Sequence, residues 1–190
     1  MFIVLISLRH YLASVSYSWR LFMLSAALEF TATHAPHECG HIVVLFARNK
    51  AGIAPEGLVF YPSRLALDGN QGVLEVTTTL LTEEDCTALA AGAVGELLST
   101  GHYDLGRTLD DRDQIERLCG QPLENFILEA NATIQENLSF FNLLVLRVSA
   151  KMTSFFVELF SIPLAKWDEL PETMPIFSLD EIRQTYEQAQ

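Results

Sequence analysis

His37-Glu38-Cys39-Gly40-His41 runs straight into Ile42-Val43-Val44-Leu45-Phe46, and this join constrains the chain more than any other stretch. Helical positions four apart share a face, so two imidazoles would stand side by side while the apolar continuation carries the same helix into a core. Residues 37–48 therefore predict a helix, ended over 49–55 by Gly52 and Pro55. Such a histidine pair can direct two ring nitrogens at one zinc ion, with Glu38 beside them to take a proton from a metal-activated water. Gly40 leaves space between the ligands for substrate or for a neighbouring backbone. Cys39 is expected to point away from the histidine face and pack. Pro36 directly precedes the motif and is tolerable in the first turn of a helix, where no helical N–H is lost.

A catalytic zinc ion usually takes three protein ligands and a water, so a third ligand is needed. A metzincin continuation requires glycine at position 44 and histidine at 47; Val44 and Ala47 exclude that class. Glu96 would complete a thermolysin-like set, and His102 is a loop candidate. The acidic cluster Asp110-Asp111-Arg112-Asp113 is another, although carboxylates there also suit a helix start beside the helix dipole.

The remaining pattern predicts a mainly α domain of the α+β kind, with a small antiparallel sheet after the histidine helix. Leu58–Tyr61, Leu65–Leu67 and Val73–Thr78 have strand character, and Asp68-Gly69-Asn70 supplies a turn. A helix rich in small residues is expected from Thr82, whose Thr-Glu-Glu-Asp run resembles a capping box, through Ala88, Ala91, Gly92 and Gly95 to Gly101. Another begins near Thr108 to Asp111. Beyond Gly120 and Pro122 one long helical region is expected over about 123 to 160. Residues 166–175 read as a Pro-punctuated connector, and Ser178-Leu179-Asp180-Glu181 caps a last helix. Residues 1–30 form an apolar N-terminal helical segment, and 31–190 a single domain.

Charge and cysteine usage narrow the function. Against 12 Lys and Arg stand 24 Asp and Glu, a formal net charge of −12. That field repels a phosphate backbone, so nucleic acid is not an expected partner. The apolar runs over 2–8 and 21–28 are far shorter than the roughly 20 residues that span a bilayer. They are expected to pack in a core, with interfacial membrane contact as the alternative. Cys39, Cys86 and Cys119 are widely spaced and odd in number, which predicts no disulfide framework and, with it, a reducing, cytoplasmic setting.

Residues 33–44, Thr-His-Ala-Pro-His-Glu-Cys-Gly-His-Ile-Val-Val, resemble the zinc-binding helix of the FtsH-type zinc metallopeptidases. The order that follows is similar too: a small sheet, the helix over 89–98 ending near Glu96, a loop with Gly106, and Asp110-Asp111-Arg112-Asp113-Gln114 in place of that family's Asn-Asp-x-x-Gln segment. The resemblance covers roughly residues 31 to 187, the peptidase domain. It implies His37, His41 and Asp111 as the zinc ligands, with Asp110 the alternative third, and Glu38 as the catalytic base. No GxxxxGK[ST] occurs, so the family's ATP-driven unfolding is not carried over.

Two functions follow as expectations. The first is a zinc metalloendopeptidase, ATP-independent by itself, acting on protein or peptide substrates. The second is a catalytically silent, metallopeptidase-like binding or regulatory protein, its acidic surface and apolar N-terminal segment serving a protein partner or a second copy of the chain.

Overall fold

The computed structural model describes residues 2–48, 57–61, 73–77, 85–103, 108–162, 166, 169–171 and 173–190. Six helices and three strands occur among them in the order α1 (Phe2–Ala47), β1 (Gly57–Tyr61), β2 (Val73–Thr77), α2 (Cys86–Thr100), α3 (Leu109–Cys119), α4 (Glu124–Glu136), α5 (Leu138–Leu159), β3 (Met174–Ser178) and α6 (Leu179–Ala189). The domain is mainly helical with a small antiparallel sheet.

Two helices form its centre. Residues 34–45 of α1 are buried without interruption, as are Cys86 to Glu96 of α2. Helices buried on every side are mostly apolar or small, His34, His37, Glu38, His41 and Glu96 being the large polar exceptions, and here glycine sets the approach. A Cβ on Gly40 would fall on the Ala91 carbonyl oxygen, and one on Gly95 would fall on the Pro36 carbonyl oxygen. The small-residue face of α2 thus meets the backbone of α1, and the space left by Gly40 is filled by a neighbouring backbone.

α1 departs from expectation at its start. It is 46 residues long, runs unbroken across positions 30 and 31, and holds Pro36 in its interior rather than in a first turn. Proline removes one backbone donor there. One turn further back, at carbonyls that Pro36 does not affect, Thr33 Oγ1 donates to Glu29 O and Phe30 O, each at 3.1 Å, and His34 Nδ1 lies 3.0 Å from Phe30 O. Burial of the whole 34–45 segment against α2 outweighs the missing bond.

Around this pair, α5 lays a stripe of Phe140, Phe141, Leu144, Val148, Met152, Phe156 and Leu159 against α1, at the three-and-four spacing of a helix face. Among the described residues α5 is the one helix long and apolar enough to cross a membrane, and a third of it is buried inside the fold. Phe46, Phe140 and Tyr186 pack together, with ring centroids 4.8–5.5 Å apart, and join α1, α5 and α6.

The region expected as one helix over 123–160 is two. The break falls at Asn137, whose side-chain amide donates to the Thr133 carbonyl at 2.9 Å and whose backbone N–H turns to Ile134. Asparagine competes in this way with the helical ladder.

The sheet has the order β2-β1-β3, antiparallel throughout. Leu58 stands opposite both Val76 and Phe177, and all of its side chain is buried. β3 begins inside the stretch read as a connector. Its Pro175 sits on a strand with one neighbour, where a missing donor is tolerated. Ser178 then caps α6 through a complete capping box with Glu181. The small-residue helix is described from Cys86; its expected start and cap at Thr82 and the Leu65–Leu67 strand lie outside the described residues.

The cysteine reading is corrected. Cys86 and Cys119 form a disulfide, and Cys39 is a free, buried thiol. The bond closes 33 residues of sequence, because α2 and α3 fold back on one another and bring the first residue of one beside the last of the other. The inference to a reducing setting loses its support with it.

Candidate metal centre

α1 and α3 bring together the two histidines and one carboxylate. His37, His41 and Asp111 are all buried, and one donor atom from each lies within 4.8 Å of the other two. His37 Nε2 is 3.2 Å and His41 Nε2 3.7 Å from Asp111 Oδ2. Asp111 lies in the first turn of α3 and faces inward, whereas Asp110 and Asp113 are exposed.

The far edge of each ring is held. His37 Nδ1 is 2.8 Å from Glu96 Oε1, a carboxylate only 1% exposed, and His41 Nδ1 is 2.7 Å from the Ala88 carbonyl. A carbonyl oxygen can only accept, so His41 Nδ1 carries the hydrogen and Nε2 turns its lone pair towards Asp111. α2 supplies both partners and also the clearance between them. A Cβ on Gly92 would come within 2.6 Å of His37 Cε1 and of His41 Cε1 and Nε2, so only glycine allows the rings to stand there. Glu96 therefore orients a histidine rather than joining the donor set. His102 is exposed and bonds locally to Thr100.

Charge in the site is unevenly shared. Burial works against a charged His37, yet the carboxylates of Asp111, Glu96 and Glu38 outweigh it and hold its pKa up at about 10. Burial pushes His41 below the ordinary imidazole value; the nearby His37 adds to this, while Asp111 and the Ala88 carbonyl oppose it. The pair at neutral pH is thus one imidazolium and one neutral ring. Burial and the charge of Glu38 push the Cys39 thiol well up, so it stays protonated and packs in the core. Glu38 itself is buried on the same helix, one residue from His37.

A divalent ion fits this donor set. Asp111 Oδ2 is buried with no hydrogen-bond partner among the described residues, and the His41 lone pair faces it. Two electron-rich groups turned on one another in a buried site are stabilised by a cation, a place that the His37 proton takes in the metal-free chain and that a metal ion can take instead. Donors around a tetrahedral zinc ion stand about 3.3 Å apart, given Zn–N bonds of about 2.0–2.1 Å. The two histidine-to-aspartate separations lie on either side of that spacing, and all three donor atoms stand within 4.8 Å of one another. The same three groups also satisfy each other as an ion-paired cluster through the His37 proton.

The Glu96 and Ala88 partners, the Gly92 clearance and the disulfide were not legible as such beforehand. The small residues of α2 were the one available signal. No family model, curated protein or solved structure matches the chain, so its assignment rests on these residues.

Proposed function

We propose that the chain is a zinc-dependent metallopeptidase of the FtsH peptidase type, ATP-independent by itself. The observation that carries this reading is the buried His37, His41 and Asp111 donor set, with Asp111 Oδ2 facing the Nε2 atoms of both histidines. In it the three side chains hold zinc, Glu96 and the Ala88 carbonyl fix the ring orientations, and Gly92 keeps the space clear. When bound, zinc lowers the pKa of water to about 7 and polarises a carbonyl. Glu38 takes the proton from the attacking water and delivers it to the leaving amine nitrogen, so one carboxylate serves as base and then as acid. Its buried position beside the ligands keeps bulk water from competing for that proton.

The test pairs metal content with cleavage of an unfolded protein substrate. About one zinc per chain in the parent, and markedly less in Asp111→Ala, is expected. Glu38→Gln keeps the zinc and loses cleavage by about 10²–10⁴-fold; a variant that kept zinc and cut at the parental rate would sink the mechanism.

The ion pairs among the three groups favour a second reading, a binding or regulatory protein in which the cluster is structural. That reading expects no metal even after zinc is added back, and no dependence of any activity on Glu38.

A further inference from the structure

α3 carries the one carboxylate of the donor set, yet little holds it. Of its 11 residues only Asp111 and Ile115 are buried, with Arg112, Gln114, Leu118 and Cys119 half-buried. Asp111 is a carboxylate taken from water, a cost that its pairing with His37 at 3.2 Å and His41 at 3.7 Å offsets in part, and Ile115 is the main apolar anchor. Left-handed glycines, Gly101 after α2 and Gly120 after α3, bound the segment on both sides. The Arg112 to Glu124 ion pair is exposed and contributes little. An isolated helix of this length is marginal in water. A covalent tie is added by the disulfide from Cys119, at the end of α3, to Cys86, two residues before the Ala88 carbonyl that orients His41.

We propose that the Cys86–Cys119 disulfide is a redox-responsive clamp that holds α3, and with it Asp111, against the histidine pair, so that reduction weakens metal binding. This rests on the metal-site part of the reading above and not on peptidase activity. The reductant is a dithiol. One of its thiolates attacks Sγ of Cys119, the half-buried residue of the two, and the buried Cys86 leaves as thiolate. The second thiolate of the reductant resolves the mixed disulfide. Two electrons and two protons end on Cys86 and Cys119, and the dithiol becomes a disulfide. Because a bound ion would itself join α1 to α3, metal and clamp reinforce one another reciprocally.

Hydrogen exchange on the metal-free chain tests the mechanical part. The ratio of exchange in α3 to that in α5 is expected to rise about tenfold or more on reduction. A ratio unchanged by reduction overturns the proposal. Zinc affinity is then measured by competition with a chromogenic chelator for the oxidised chain and for Cys86→Ala/Cys119→Ala, which has no freed thiols to bind zinc. About tenfold or more weaker binding in the variant is expected; equal affinities overturn the proposal. Should the variant not fold, wild-type chain reduced and alkylated at both cysteines replaces it with the same expected and opposing results. If the oxidised chain takes up no zinc while α3 still loosens on reduction, the metal site fails as a reading and the control of metal affinity falls with it. Loosening without any change in affinity fails the proposal alone.

Discussion

Glu96 and the Ala88 carbonyl each hold the Nδ1 edge of one histidine, and their removal gives different results because only Glu96 is a side chain. Glu96→Ala should weaken zinc by about 10–100-fold, with Glu96→Gln recovering part of that loss by keeping an acceptor for His37. Chelator competition reads both; parental affinity in the alanine variant would show that His37 needs no partner. The His37 proton has its own consequence. Its pKa in the folded, metal-free chain is about 10 against an ordinary 6.5. Its contribution to stability is therefore full below pH 6.5 and is lost as pH rises towards 10. Zinc must displace that proton, so from neutral pH up to about 10 affinity should climb about tenfold per pH unit, with one proton released per ion. Calorimetry in buffers of different ionisation enthalpy counts the proton; zero release at neutral pH would mean that His37 is neutral before metal binds.

At the scale of elements, local chemistry and long-range pairing separate cleanly. The capping box of α6 is local: Ser178 Oγ accepts from the Glu181 N–H, and Glu181 accepts from the Ser178 N–H at 2.9 Å. Lys151 pairs with Glu181 and, with the cap, draws its pKa down against the effect of burial. Ser178→Ala should cost about 1 kcal/mol, read by urea denaturation; no loss would mean that packing of Ile182 and Tyr186 alone sets the helix. That cap was legible in the sequence because its four residues are consecutive, and so was the pairing of His37 with His41, which needs only the helical repeat. Pro36 was misjudged because tertiary burial of 34–45, invisible locally, overrides a lost donor. β3 was hidden for a similar reason: Met174-Pro175-Ile176-Phe177-Ser178 becomes a strand only through β1, more than a hundred residues earlier. Asp111 was reached through a family resemblance, since spacing alone left Asp110, Glu96 and His102 open beside it.

On the scale of the whole molecule, the disulfide is the feature that no short pattern foretells and that alters the energetics most. It links positions 33 apart, across a hairpin whose two arms carry Glu96, Gly92 and Ala88 on one side and Asp111 on the other. Closing a loop of that size restricts the unfolded chain and stabilises the fold by roughly 3–4 kcal/mol on the chain-entropy account. For a domain of this length each kcal/mol moves the melting temperature by about 2–4 °C, so reduction should lower it by roughly 10 °C. Calorimetric scans of the metal-free chain with and without a dithiol reductant measure this directly, and Cys39→Ala should leave the difference unchanged because that thiol is unpaired. Identical melting in both scans would mean that the link does not constrain the unfolded chain. A fall much larger than this would point beyond chain entropy, to native packing around Cys86 in the α1–α2 centre that depends on the intact bond.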